Sequence, residues 1–340
     1  MIQPHPSQEE RPHRPVLLRE TIEAIVQDPD GLYIDATFGR GGHSRALLAR
    51  LGPAGRLVAI DRDPEAIEAA RCIRDPRFSI RHMDFQGLGQ LASEFGAHAV
   101  EGIIADLGVS SPQLDEPHRG FGFQRDGPLD MRMDPSQGRA AAEWLSEVSV
   151  DDLEEVLRNY GDERHARAIA QSIVSRCTDA HRGEAEPLVR TGQLAALIAS
   201  VLRRRGGGKT PGHHPATRSF QAIRIHINDE LSQLEALLKA APRLLRNGGR
   251  LGVISFHSLE DRRVKQAFQP SAQRVDRAIG MGRARHAMLR TLVAPAPSSR
   301  GHGVWKSIGR FRAADEELSE NPRARSAILR VGQHQLERSE

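Results

Sequence analysis

The 340-residue chain is long enough for one large domain or two modest ones, and 39% hydrophobic with 27% charged residues excludes a disordered or fibrous protein. A formal charge of +4 and a pI near 9.5 permit a polyanionic partner without requiring one. Two distant cysteines, Cys72 and Cys177, exclude a disulfide framework and a zinc site, and no apolar run is long enough to span a membrane.

The first dozen residues ("MIQPHPSQEERP") are polar and proline-rich and, with His13, lack the apolar core of a signal peptide. They read as a disordered tail, and the cytoplasm is the expected compartment. From residue 14 strand and helix signals alternate: "GLYIDATF", "GRLVAID", "FSIRHMDF" and "AVEGIIADLG" are strands, and "HSRALLARLG" and "PEAIEAARCI" are helices between them. Short β-branched runs separated by helices of about ten residues predict an α/β fold with a parallel, doubly wound sheet. The pattern breaks after Ser110. A loop rich in Gly, Pro and Asp covers residues 111 to 138, and four helical segments follow it: "RAAAEWLSEV", "VDDLEEVLRNYG", "DERHARAIAQSIVSRC" and "TGQLAALIASVLRRR". A loop that long inside a compact domain is functional or disordered. The α/β pattern resumes with one long amphipathic helix from Thr217 to Leu245, then a buried strand and helix in "GGRLGVISFHSLEDRRVKQAF". Two late runs, "VWKSIGRF" and "SAILRVG", predict an antiparallel hairpin. The expected division is therefore an α/β domain in two parts, 14–113 and 215–340, around an inserted helical block at 114–214.

The stretch "DATFGRGGHS" from Asp35 lies between the first strand and the first helix, where a glycine-rich turn holds a nucleotide. A P-loop, GxxxxGK followed by Ser or Thr, is absent there. "GGGKT" at Gly206–Thr210 has Arg203 where the first glycine belongs, and reads as a connector. A dinucleotide fingerprint, GxGxxG, is matched by Gly39 and Gly41 but has Ser44 in third place. An S-adenosylmethionine turn is matched by Asp35, Gly39 and Gly41, with Gly42 adding room for a ligand lying against the main chain. Asp61 ends the second strand, 22 residues after Gly39, where a carboxylate accepts ribose hydroxyls. It supports a bound adenosine without choosing between the two cofactors. Asp84 and Phe85, after the third strand, would set a polar group and an aromatic face near an adenine.

Eight stretches taken together resemble one family. They are "RPVLLRE", "YIDATFGRGGHSRALL", "AIDRDPEAI", "DLGVSSPQLD", "RGFGFQRDGPLDMRMDPSQG", "HPATRSFQAIRIHINDEL", "GGRLGVISFHSLEDRRVK" and "NPRARSAILRV", and they are similar to the bacterial 16S ribosomal RNA (cytosine-N4)-methyltransferases, also known as MraW, from Arg14 to Val331. The resemblance implies a class I methyltransferase, a Rossmann-like doubly wound sheet carrying an inserted all-helical domain, with S-adenosyl-L-methionine as cofactor. It implies cofactor contacts at Gly41, Gly42 and His43 in the turn, Asp61 at the ribose, Phe85 at the adenine, and Asp106 and Gln113 near the methionine end. Ala36 and Gly122 stand where many members have glycine and serine, and residues 270 to 300 match no family motif.

The resemblance further implies methyl transfer to the exocyclic N4 of a cytidine in the decoding region, at the P site, of 16S rRNA within the small ribosomal subunit. Many amino-methyltransferases carry an Asp/Asn/Ser-Pro-Pro-aromatic motif after the fourth strand for such chemistry. This chain reads Asp106-Leu107-Gly108-Val109 there. Asp106 is the best-placed carboxylate for catalysis. Asp130, with Arg132 and Asp134, would reach the substrate from the long loop or form a salt-bridged structural loop. His257 would line the target pocket, and Ser258 with Asp261 fits a helix cap. Arg262, Arg263, Lys265 and the arginines from Arg274 to Arg290 would meet phosphates, or form a solvated surface. Phe121 and Phe123 would stack on an extruded base or pack their own loop. No metal is expected, and the oligomeric state is not readable.

Overall fold

The computed structural model describes residues 15–206, 214–269 and 304–336. The N-terminal tail, most of "GGGKT" and the arginines from Arg274 to Arg290 lie outside the described residues.

The first half follows the alternation of the sequence. After α1 (Leu18–Ile25) come β1 (Leu32–Asp35), α2 (Gly42–Leu48), β2 (Arg56–Asp61), α3 (Pro64–Ala70), β3 (Phe78–His82), α4 (Leu88–Phe95) and β4 (Val100–Asp106). A short helix α5 (Ser111–Asp115) opens the loop, and the helical block contains α6 (Ala141–Glu147), α7 (Val150–Gly161), α8 (Ala166–His181) and α9 (Thr191–Arg204). Then come α10 (Thr217–Ile227), α11 (Glu230–Leu244), β5 (Leu245–Ser255), α12 (Ser258–Ala267), β6 (Val304–Phe311), α13 (Asp315–Glu320) and β7 (Ile328–Gln335).

The seven strands form one sheet in the order β3-β2-β1-β4-β5-β7-β6. β1 to β5 pair in parallel, and β7 runs antiparallel to both β5 and β6. Side chains alternate between the two faces, as the two-residue period of a strand requires. Tyr33, Leu57, Ile104 and Ile254 join the layer of α1 and α2, while Ile34, Ile103 and Val253 pack with Leu91 of α4 and Leu237 of α11. Burial on both faces explains why these strands read as continuous apolar runs. This is the doubly wound α/β sheet that the sequence predicts.

The helical block has its own core, in which Trp144, Leu157, Ile169 and Ile198 are buried. Ala216, Phe220 and Ile223, at and within α10, belong to that core. The single helix expected from Thr217 to Leu245 is two. Its turn at Asn228 and Asp229, where Asp229 has φ 48°, breaks it. The cause is the buried Asn228 amide: its Oδ1 accepts from the Met133 N–H at 2.7 Å and its Nδ2 donates to the Met131 carbonyl at 2.7 Å. Bonding to the long loop takes precedence over helical continuity. Among the described residues no helix is long and apolar enough to cross a membrane.

Candidate functional site

A cleft of about 340 Å³ opens at the carboxyl ends of β1, β2, β4 and β5, where open α/β sheets bind ligands. Gly39, Gly42, His43, Asp61, Phe85, Asp106 and Gln113 all line it. A hollow of about 530 Å³ on the helical block, between Trp144 and Tyr160, contains none of the expected residues.

The turn is held by its backbone. Gly39 and Gly41 have φ of 55° and 75°, and a Cβ on Gly41 would stand 2.7 Å from the Phe38 ring. Glycine is therefore required at Gly41 by both conformation and space. The Gly39 N–H donates to Asp61 Oδ2 at 2.7 Å, and the Asp63 N–H donates to Asp61 Oδ1 at 2.8 Å. Burial pushes the Asp61 carboxyl up to about 6 despite these bonds. Asp35 does not line the cleft. It is fully buried beneath the turn, where its Oδ2 accepts from Ser44 Oγ at 2.7 Å and its Oδ1 from the Thr37 N–H at 3.1 Å. Its place is to pin the turn, and burial raises its carboxyl to about 7.

Asp106 ends β4 at the centre of the cleft. Its Oδ1 is buried without a hydrogen-bond partner. Its Oδ2 lies 3.8 Å from His43 Nδ1, but burial lowers His43 to about 4, so the imidazole is neutral and the contact is not an ion pair. Burial first, then the charges of Asp35 and Glu260, push Asp106 up to about 8. A buried carboxyl with an unpartnered oxygen and a raised pKa makes Asp106 the candidate functional group of the cleft.

Phe85 stands in the cleft with its N–H donating to Gln233 Oε1 at 3.0 Å, while Gln233 Nε2 donates to Asp84 Oδ2 at 2.8 Å. Gln233, on α11, was not singled out in the sequence; a polar residue on the apolar stripe of an amphipathic helix was its only signal. Gln113 is also buried. Its Oε1 accepts from the Ser110 N–H and its Nε2 donates to Asp63 Oδ2 at 2.7 Å, so it braces the wall of the cleft. Glu230 and Glu260, likewise missed, complete the wall.

Gly41, like Asp35, is not in the lining, and two expected catalytic residues lie elsewhere. His257 is not in the lining of the cleft. It precedes α12 as its cap residue, and Glu260 Oε2 accepts from the N–H groups of Phe256 and His257 at 2.8 and 3.3 Å. The helix start is thus closed by Glu260 rather than by Ser258 and Asp261; Asp261 is engaged by Arg330 at 2.7 Å. Asp130 is also off the cleft, gripped by Arg132 through Nε at 2.8 Å and Nη2 at 2.7 Å. Burial would raise its carboxyl, and the Arg132 bonds more than offset that, leaving it below its ordinary value. The salt-bridged loop is what the structure contains. Phe121 is buried in the helical core, and Phe123 packs on Phe220 at 4.7 Å and His214 at 4.6 Å, so both serve their own loop. Arg263 pairs with Glu235, while Arg262 and Lys265 are exposed.

Among the described residues two groups could hold a metal ion by spacing, Glu230 with His257 and Glu260, and Glu65 with Glu116 and His118. Arg224 already forks onto Glu230 at 2.7 and 2.9 Å, and Arg40 lies 3.7 Å from both Glu65 and Glu116. Arginine supplies the countercharge in each.

The model of the MraW methylase family matches residues 10–335. The chain belongs to that family. "Ribosomal RNA small subunit methyltransferase H" of Burkholderia pseudomallei (strain 1106a) is 51% identical over 323 residues, covering 94% of this chain and 97% of that protein. The protein of the same name from Burkholderia vietnamiensis is 50% identical over the same shares. Among solved structures, an rRNA methylase from Streptococcus thermophilus aligns at a TM-score of 0.33 and 10% identity, covering 94% of this chain and 93% of that one. A SAM-dependent O-methyltransferase from Thermotoga maritima aligns at 0.38 and 10%, covering 97% and 70%. The methyl donor of the MraW methylase chain is S-adenosyl-L-methionine, and the cleft fits it: Gly39 and Gly42 bring bare backbone into the lining, and Asp106 Oδ1 is a buried oxygen with no hydrogen-bond partner in the protein.

Proposed function

We propose that this protein methylates the exocyclic N4 of a cytidine in the decoding region, at the P site, of 16S rRNA within the small ribosomal subunit. The observation that carries the reading is Asp106. Its unpartnered Oδ1 is held at the strand end between the cofactor turn and the open side of the cleft. The curated relatives carry small-subunit rRNA in their names, which sets the substrate class.

The N4 amine is a weak nucleophile because its lone pair is delocalised into the ring. S-adenosyl-L-methionine, when bound, supplies an electrophilic methyl. Asp106 accepts a hydrogen bond from N4–H, orients the lone pair toward that methyl, and stands ready for the proton that leaves the nitrogen. Positioning of this kind contributes up to roughly 7–11 kcal/mol in well-oriented reactions. Asp61 holds the ribose hydroxyls, and Phe85, fixed by Gln233, faces the adenine. The base must leave its stack to reach Asp106, at a cost of roughly a few kcal/mol. The helical block at 114–214, with α10 packed into its core, presents the RNA, and exposed Arg262 and Lys265 meet phosphates. The work takes place in the cytoplasm, on an assembled particle.

Small subunits lacking the modification, incubated with the protein and methyl-labelled S-adenosyl-L-methionine, then digested to nucleosides, test the reading by mass spectrometry. N4-methylcytidine from one P-site position is expected. Label in another nucleoside would overturn the target, and equal turnover on protein-free 16S rRNA would overturn the assembled particle.

A further inference from the structure

We infer that Arg119 is a positioning residue that couples cofactor occupancy to the grip on RNA. The inference rests on the reading above. Arg119 belongs to the long loop, yet its side chain is only 3% exposed. Its Nη1 donates to Asp63 Oδ2 at 2.9 Å and lies 3.2 Å from Glu65. Its Nη2 donates to the carbonyl of Met133 at 3.0 Å and of Arg132 at 3.3 Å. One planar fork thus ties two separate parts of the chain, and only arginine has that geometry.

One part belongs to the adenosine end of the cleft, and the other leads into the helical block that the reading above assigns to the RNA. Asp63 follows Asp61 by two residues, donates its N–H to Asp61 Oδ1, and caps α3 by accepting from the Glu65 N–H at 3.0 Å. It is the edge of the adenosine end of the cleft. Met133 lines the same cleft beside Asp63, and its segment leads into the helical block. Asn228 holds the Met133 N–H, while Arg62 donates to the Asn228 carbonyl at 2.7 Å, closing a ring around Arg119. Anything that orders Asp61 to Asp63 therefore orders residues 131 to 133, and the reverse. Linkage makes such coupling reciprocal, with typical factors of roughly 5–150.

Affinity for unmodified small subunits, measured with and without S-adenosylhomocysteine, reads the coupling directly. The wild-type protein is expected to bind subunits about fivefold tighter with the cofactor product present. Arg119→Lys keeps a cation beside Asp63 but has no fork to span to the carbonyls. Its ratio should fall to one, with affinity for the cofactor product alone changed less than twofold. Asp63→Asn, which preserves shape, should also bring the ratio to one and serves if the lysine variant does not fold. A purely structural Arg119 would lower the melting temperature and keep the ratio. That result, or a wild-type ratio of one, overturns the coupling. A wild-type protein that neither binds subunits nor transfers label to them would sink the underlying function, and the coupling with it.

Discussion

Replacement of Asp106 by asparagine should remove a pH dependence from cofactor binding. Burial lifts the Asp106 carboxyl of the free protein from its ordinary 3.8 to about 8, so at neutral pH it carries a proton. A cationic ligand at the methionine end favours the ionised form, and binding must then expel that proton. At pH 6 only about 1% of the carboxyl is ionised, against about half at pH 8; the ratio sets a ceiling of roughly 50-fold, or about 2.3 kcal/mol. The side chain is 26% open to the cleft, and solvent there screens part of the effect. We expect about tenfold tighter binding of S-adenosyl-L-methionine at pH 8 than at pH 6. His43, near 4, stays neutral over this range and Asp61, near 6, is mostly ionised above pH 7, while Asp35, near 7, titrates in the same window from beneath the turn, so its share persists in Asp106→Asn. Titration calorimetry in two buffers of different ionisation enthalpy should detect proton release from the wild type that is much reduced in Asp106→Asn. The free protein gives the opposite sign. Its folded state holds the Asp106 proton between the unfolded value and about 8, so stability falls as pH rises through that window. Asp106→Asn should therefore melt higher than the wild type at pH 8. Affinity that is constant from pH 6 to 8, with no proton released, would refute the reasoning.

Gly41→Ala forces an L-residue into the left-handed region, about 1–2 kcal/mol, and sets a methyl 2.7 Å from the Phe38 ring. Lower melting temperature and weaker cofactor binding should appear together in scanning and titration calorimetry. Glu260→Gln leaves a buried N–H or amide unpaired and should cost about 1–3 kcal/mol in urea unfolding at pH 7. Burial opposes the Glu260 charge, but His257, the Phe256 N–H and Arg224 outweigh it, so its folded pKa is lowered. Its stabilisation is present above the unfolded value of 4.5 and lost as pH falls below it, so the deficit of the variant should shrink in acid unfolding. Leu157→Ala opens a cavity in the fully buried core of the helical block and should cost about 2–5 kcal/mol by denaturant titration.

The alternation of apolar runs and helices made the sheet legible, because both faces of β1, β4 and β5 are buried and their sequences say so. The turn was legible from the spacing of Asp35, Gly39 and Gly41, since backbone geometry restricts residue choice there. Side-chain partners were not legible. His257 and Asp130 stand in motifs beside functional ones, yet which way each points depends on Glu260 and Arg132, and local spacing does not encode that choice. Gln233 and Glu230 reach the cleft only because Asn228 breaks the helix before them, and that break arises from a bond to Met133, 95 residues earlier. Phe121 and Phe123 left two readings open: an aromatic residue in a glycine-rich loop suggests stacking on a base, but a loop of this length also needs anchors of its own, and packing is what the structure contains.

The position of β7 between β5 and β6 sets a timetable for synthesis. A ribosome releases β6 before β7, yet β6 has no neighbour in the sheet until β7 arrives. Through that interval β5 presents an open edge, Arg250 to Ser255, that only Ile328 to Gln333 will cover. Unpaired edges recruit foreign strands, so the nascent chain is most vulnerable just before β7 emerges. A frameshift or stop between Ile328 and Gln335 would remove or shorten an interior strand and free β6 with it.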